Sequence, residues 1–459
     1  MTPKMTRKPL ARRRIALKLK NLRGWLRWRE HQVDLKWSIA IDDEGEITVS
    51  FAPVKLTRDT AWMLKVLGGN ELFGEWAAVS GTSTDGVTVM SEHVHLGSRE
   101  ERDRAGGTFV VLSGEAARVQ ISRQPLPKTT RGLRLVYGTV GMEGFSVQRV
   151  KSPVGRVSVI GSSRITDYNK LIGSVEIAAS TRSAPLLRWL DRADLVTERV
   201  LEMVSLAEGR IVRWSFRHIV YGRKILTSEF VGPQRTGVPF DGAGHFLNLQ
   251  PFVELAIRRY TPSLRSRTGF SVALQWFLSH PPYTEQQLLA AMTVLEHLAA
   301  TYVARYGCPK IVGTRTFRAL KTDLTRALNE FANDRQRRHR RTLQQKLQRF
   351  HGKISGMNDA PLRDKLAAML ISYRVPLTGI EHLVADAIKT RNRVVHSGIY
   401  SSEFDGSERL FEHVMILREL LKRIFLTLLN YKGSYETRFP HGGREIFPPL
   451  ESPTGARAA

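Results

Sequence analysis

Residues 377–398 read "LTGIEHLVADAIKTRNRVVHSG". Ile380, Leu383, Val384, Ala387, Ile388, Val394 and Val395 recur at helical spacing. At roughly 100° per residue they form one apolar stripe, and Arg391 falls almost on its midline. A guanidinium in such a place needs a negative partner, because desolvating it alone costs several kcal/mol. An acidic side chain or a phosphate would serve. Asn392 and His396, four apart, share a different face. Ser397–Gly398 offers a helix stop, with Gly398 as the C-cap. Two readings stand at this point. One is a structural turn with cations at the negative helix end; the other is a phosphate site.

Spacing alone does not separate them. Arg213/His218 and Lys346/His351 repeat the interval of five elsewhere in the chain. The first lies in an expected strand, where a spacing of five puts side chains on opposite faces. The second lies in a basic run and lacks the arginine.

Working outward from the quoted segment, the period is helical from about residue 262. "LRSRTGFSVALQWFLSH" predicts a first helix ended by Pro281–Pro282. "TEQQLLAAMTVLEHLAATYVARYG" predicts a second, with Thr284 as its cap, Gln287 three residues on and Gly307 as its stop. A third falls in "SGMNDAPLRDKLAAMLISYR", and "LTGIEHLVADAIKTRNRVVHSG" is the fourth. "SERLFEHVMILRELLKRIFLTLLNYKG" is a long, strongly apolar fifth. Short connections between them predict an antiparallel bundle over 255–435, with a basic insert at about 308–353 and a tail over 436–459.

Upstream the pattern is β-rich. "VDLKWSIAI" and "ITVSFAPV" alternate around the polar turn "DDEGE", and further short strands follow with glycine-rich punctuation. "RIVRWSFRHIVYGRKILTSEFVG" predicts a hairpin turning near Tyr221–Gly222, after a helix around Leu195–Leu206. The fold class expected is therefore α+β: a sandwich-like β-rich domain over 31–250 that senses or regulates, followed by an all-α bundle. No phosphate-binding glycine loop or dinucleotide fingerprint occurs in the β-rich part.

The 459 residues carry 70 Lys/Arg against 43 Asp/Glu, a formal net charge of +27. Such a balance favours polyanions. Residues 1–30 hold eleven Lys/Arg and Glu30, a net +10, and residues 333–353 hold eight and Asp334, a net +7. The other 408 residues keep the remaining +10. Residues 1–30 read as a basic arm: an amphipathic helix bearing Ile15, Leu19, Leu22 and Leu26, a disordered arm, or the entry of a β-strand, since "ALKLK" alternates. A surface attachment of this leader to anionic membrane is a weaker reading. Apolar runs fall short of a membrane span, so no stable insertion is expected. Cys308 is the only cysteine, which excludes an intrachain disulfide and a cysteine-based zinc site and fits a cytoplasmic location.

A bundle with Arg-Asn-x-x-x-His at the end of its penultimate helix resembles the HEPN superfamily, and within it the ApeA-like branch of bacterial anti-phage defence proteins. The resemblance covers about residues 262–435. It rests on Arg391, Asn392 and His396, on "TVLEHL" with Glu296, and on "YKGSY" after the last helix. It implies a metal-independent endoribonuclease with no cofactor, acting as a homodimer on host RNA, tRNA among the substrates. A phage-derived trigger acting through the β-rich domain is implied as well. Arg391, Asn392 and His396 would be catalytic. The runner-up is a non-catalytic RNA- or nucleotide-binding HEPN protein.

Metal-free cleavage needs a group that exchanges protons at neutral pH, which a histidine supplies, and a fixed charge for phosphate oxygens, which an arginine supplies. In an ideal helix Arg391 and His396 diverge by roughly 140°. Either the helix unwinds at Val395–Gly398, or motifs from two copies meet across a two-fold cleft. Capture of a larger RNA is assigned to the basic insert, at Arg335, Arg337, Arg338, Arg340 and Arg341. Trp25 and Trp28, beside arginines, can stack on bases or belong to a core.

Overall fold

The computed structural model describes residues 16–58, 60, 62, 76–102, 108–142, 147–161, 171–180, 184–233, 241–243, 249–335, 349, 353–354, 357–397, 404–438 and 442–449. The architecture is mixed α+β, a β-rich unit followed by a multi-helix unit. Two compact units divide the chain, Met1–Tyr260 and Thr261–Ala459.

In the first unit the strands β1 (Leu17–Trp28), β2 (His31–Ile41), β3 (Ile47–Phe51), β4 (Val54–Lys55), β5 (Ala77–Thr82), β6 (Thr88–Arg102) and β7 (Thr108–Ser122) are antiparallel. Their order is β3-β2-β1-β5-β6-β7, and β7 pairs back onto β3 from Thr48↔Glu115 to Ser50↔Ser113. The sheet therefore closes into a six-stranded barrel, not the sandwich expected from alternation. Alternation reads the same in both, since each has one buried face. Val54–Lys55 adds a short pairing to β7.

Inside the barrel lie Leu22, Leu26, Trp37, Ile39, Val49, Val79, Val89, Val110, Leu112, Val119 and Ile121 among others. The basic arm expected over residues 1–30 is, from Leu17 to Trp28, a strand of this barrel. Of its three readings, the alternating strand is the one found there; residues 1–15 lie outside the described residues. A bulge with Asn21 at φ 58° resets the register between Leu19 and Leu22, after which Leu22 and Leu26 both point inward. Gly81 makes room for the fully buried Trp37: a Cβ there would meet Trp37 Nε1 at 2.5 Å.

From β7 the sheet continues through β13 (Lys224–Val231) and β12 (Arg213–Tyr221) to β8 (Leu133–Val140), β11 (Leu171–Ala179), β10 (Gly155–Ile160) and β9 (Val147–Ser152). The β12–β13 hairpin turns at Tyr221–Gly222, as its sequence predicts. Helix α1 (Leu186–Glu208) is tied to this wing by Trp189 Nε1, which donates to Val154 O at 2.7 Å, and α2 (Gln250–Arg258) packs on α1. Register aligns Tyr137, Arg217 and Glu229 across β8, β12 and β13. Arg217 thus lies between Asp194 of α1 (2.6 Å) and Glu229 (2.5 Å), and Arg118 of β7 also pairs with Glu229.

In the second unit the first expected helix is two, α3 (Pro262–Thr268) and α4 (Phe270–Phe277). Gly269 breaks it at φ 67°, where a Cβ would also meet His297 Nε2 at 2.4 Å. Helix α5 (Thr284–Tyr306) stops at Gly307 as expected, but the cap position is Tyr283, and Thr284 is the first helical residue. Gln287 turns its amide to Pro281 O at 3.0 Å instead of completing a capping box. Within the insert, α6 (Thr314–Arg335) is a largely exposed helix. Then follow α7 (Leu362–Tyr373), α8 (Glu381–Ser397) and α9 (Phe404–Leu428). The expected tail holds a hairpin of β14 (Gly433–Thr437) and β15 (Gly443–Phe447).

Helices α5 and α9 form the middle of this unit, contacting each other as well as α4, α7 and α8. Phe270 and Phe277 pack on Phe425 at 4.7 and 5.4 Å. Helix α5 is long and apolar enough to cross a bilayer; Leu288, Met292, Leu295 and Leu298 bury its apolar face in the bundle.

His218 of β12, half of a decoy pair, stacks on Phe216 at 4.3 Å, and its Nδ1 is buried with no hydrogen-bond partner. Burial first, and then the charge of Arg123, push its imidazole from 6.5 down to about 4. A neutral histidine is thus favoured by folding. Its contribution is complete above pH 6.5 and is lost as the pH falls to about 4, because the unfolded chain takes up the proton first. The loss expected is about 3 kcal/mol. Denaturant unfolding of wild type and His218→Gln at pH 7 and pH 4 checks this: the wild type should lose about that much more stability than the variant.

Candidate functional site

The segment that carries Arg391, Asn392 and His396 is α8. Its start is held from α9. Arg423 Nη1 donates to Thr378 O at 2.8 Å and to Pro376 O at 3.3 Å, in the loop just ahead of the helix. Gly379 at φ 81° then turns the chain into Ile380, whose carbonyl oxygen accepts the first-turn hydrogen bond from Val384 N at 3.1 Å. Ile380, Val384 and Ala387 are buried, while Asp386 and Lys389 face out and pair at 3.2 Å.

The helix runs without interruption to Ser397. Of the unwinding expected at Val395–Gly398, one of the two ways to bring Arg391 and His396 together, Val395–Ser397 show none, and Gly398 lies outside the described residues. Arg391 follows Ile380, Val384 and Ala387 at intervals of eleven, seven and four, so its Cα continues the buried stripe. Asn392 and His396 occupy a face turned well away from it. The side chains of residues 391–397, and all of Gly398, lie outside the described residues.

Next to α8, His413 of α9 is buried, and Asp386 of α8 acts on it electrostatically. Burial, then the charge of Arg409, lower its pKa, opposed by Glu412 and Asp386. No feature of the sequence singled this histidine out. Glu296, matched to the second-helix "LEH", is half-buried on α5, and its neighbour His297 lies 3.2 Å from Gly269 O through Nε2. Arg335 ends α6; Arg337, Arg338, Arg340 and Arg341 lie outside the described residues. Among the described residues no three His, Cys, Asp or Glu side chains gather as a metal site.

The clearest group missed by the sequence reading is the charged quartet inside α9. Glu419 is 1% exposed and accepts from four groups. Arg423 Nε reaches Oε1 at 2.9 Å and Tyr435 OH the same oxygen at 2.8 Å; Thr437 Oγ1 reaches Oε2 at 2.9 Å and Lys422 Nζ at 3.2 Å. Lys422 also donates to Glu436 O at 3.1 Å. Arg418 donates to Phe277 O at 2.9 Å and lies over the Phe277 ring at 4.2 Å. The "YKGSY" segment gains a physical meaning here, since Tyr431 OH holds Ser434 O at 2.6 Å and Tyr435 docks the hairpin on Glu419. The signal was in the sequence: "RELLKR" interrupts an apolar run with charges at i, i+3 and i+4.

No family model, curated protein or solved structure matches the chain.

Removing the carboxylate should leave Lys422 and Arg423 buried and uncompensated. Glu419→Ala is expected to cost about 3–5 kcal/mol of unfolding free energy, and Tyr435→Phe about 1–2 kcal/mol. Chemical denaturation followed by circular dichroism reads both, with the larger loss at Glu419.

Proposed function

We propose that the chain is a metal-independent endoribonuclease of the HEPN type, similar to the ApeA-like branch, that cleaves host RNA, with tRNA a candidate substrate. The observation that carries this reading is the position of Arg-Asn-x-x-x-His: it occupies the last two turns of a penultimate helix packed on the final helix of a bundle. Arg391 on the continuation of a buried stripe supports it further, because a guanidinium there calls for an anionic partner.

In the proposed reaction the ribose 2′-oxygen attacks the adjacent phosphorus. The new 2′-O–P bond forms as the P–O5′ bond breaks. His396 takes the 2′-OH proton and, as the imidazolium, gives it to the leaving 5′-oxygen, while Arg391 neutralises the non-bridging oxygens of the phosphorane. Asn392, one turn from His396, orients the imidazole or donates to phosphate. The products carry a 2′,3′-cyclic phosphate and a 5′-OH. Because the two key residues diverge on an unbroken helix, the site is assembled from two copies of the chain, Arg391 of one meeting His396 of the other. The β-rich unit takes the role of sensor for a phage-derived trigger, and the protein acts in the cytoplasm.

RNA ends sequenced after expression of wild type, Arg391→Ala and His396→Ala test the reaction. Each substitution should lower cleavage about 100-fold or more, and cleavage should persist in EDTA. Mixing the two inactive variants should restore about a quarter of the wild-type rate: half the dimers are mixed, and each has one intact site. RNA that binds to the wild type and stays uncut would select the non-catalytic RNA-binding reading instead.

A further inference from the structure

The barrel has an outer face that its core does not explain. Because Leu22 and Leu26 fill the interior, Arg23, Trp25 and Arg27 of β1 are on the outside, in steps of about 6.7 Å. Arg23 and Arg27 are exposed, and the Arg27 guanidinium lies over the Trp25 ring at 5.2 Å. Lys18 and Lys20 extend the exposed line, and Lys36 of β2 stands directly opposite Arg23.

On the other side of β1 the register pairs Arg23 with Thr82, Trp25 with Ser80 and Arg27 with Ala78. These side chains of β5 are small, and of them Thr82 is exposed, Ser80 partly so and Ala78 buried. Beyond it, the exposed His93 and His95 of β6 meet the edge of Trp76, at 5.9 and 6.5 Å. Trp76 is 52% exposed.

Cations outnumber acids here. Lys18, Lys20, Arg23, Arg27 and Lys36 make no ion pair among the described residues; the acids on these strands up to Leu96 are Asp34, exposed and directly opposite Trp25, and Glu92. Unneutralised cations at this spacing repel one another, and a polyanion relieves that repulsion by displacing their counterions. A row of cations alone would fit any acidic partner. Two indoles that reach solvent beside small residues add a requirement for flat, stackable groups.

We infer that the outer face of β2-β1-β5-β6 binds single-stranded RNA, phosphates along Lys18, Arg23, Arg27 and Lys36 and bases on Trp25 and Trp76. A duplex hides the faces of its bases, so an unpaired strand is the form that can use both indoles. The choice of RNA rests on the ribonuclease reading of α8; the choice of a single strand rests on the barrel alone.

The test uses the full chain carrying His396→Ala and a fluorescent twelve-nucleotide oligouridylate, with affinity read by anisotropy. Arg23→Gln/Arg27→Gln should weaken binding tenfold or more and flatten the salt dependence by about 1.4 in log–log slope. Trp25→Ala should weaken it about tenfold with the slope unchanged. Thermal melting of each variant confirms the fold. Unchanged affinity in both variants overturns the inference, and so does equal affinity for an RNA duplex of the same length. Tighter binding of oligodeoxythymidylate overturns the choice of RNA, and displacement by polyglutamate at equal charge overturns a nucleic-acid partner. Binding that depends on Arg23, Arg27 and Trp25, beside a wild-type chain that cuts no RNA, supports this surface and removes the nuclease reading.

Discussion

The carboxylate of Glu419 is the constraint on which the helical unit turns. It is buried at 1% exposure, where an ion deprived of water carries a penalty of several kcal/mol unless every oxygen is satisfied. Two cations and two hydroxyls meet that requirement, and they come from different parts of the chain. Lys422 and Arg423 belong to α9 itself, whereas Tyr435 and Thr437 come from the terminal hairpin. Arg423 Nη1 donates to Pro376 O and Thr378 O, so the same cluster fixes the loop that launches α8. One ion therefore couples the last helix, the hairpin and the helix that carries Arg391. The network positions; it is too well satisfied and too far inside to touch a substrate.

A comparable constraint governs the barrel. Closure of β3 onto β7 leaves no free edge on that ring of strands and forces each strand to commit one face to the interior. On β1 the committed face is Leu22 and Leu26, and the opposite face must then display whatever lies between. Those residues are arginines and a tryptophan. The basic outer face is thus a direct product of the core pattern: apolar residues of period two fix which cations reach solvent, and at what spacing.

Much of this organisation was legible in the sequence, and its gaps have physical reasons. Period two and period 3.6 revealed the β-rich and helical halves, the hairpin at Tyr221–Gly222 and the extent of α5. Barrel closure was not legible, because Thr48 and Glu115 are 67 positions apart (115 − 48) and alternation carries no information about partners so distant. Residues 17–28 satisfied helical and strand periods alike, and only pairing with β2 and β5 decides between them. At Gly269 a single left-handed residue split one expected helix into two, a backbone effect that side-chain periodicity does not report. The hairpin after α9 is not legible because its five-residue strands are too short to show alternation. As for the candidate site, the helix, its apolar stripe and the place of Arg391 on it could be read in advance. The charges of the Glu419 cluster stand together in "RELLKR", but Tyr435 and Thr437 lie 16 and 18 positions further on, and no periodicity announces that they meet Glu419.

The unbroken course of α8 bears directly on how its end can work. Five residues advance the helix by roughly 7.5 Å and rotate it by roughly 140°, so positions 391 and 396 at the helix surface are on the order of 13 Å apart. A single phosphate cannot bridge that gap from one copy unless a side chain folds back around the helix. A two-fold axis beside the helix end removes the difficulty without bending anything. It carries position 396 of one copy to the side on which position 391 of the other stands, and it does so twice. The stripe that buries Ile380, Val384 and Ala387 continues, by helical spacing, to position 391. In the proposed ribonuclease reading, helical continuity through Ser397 therefore makes a second copy the economical way to complete the site.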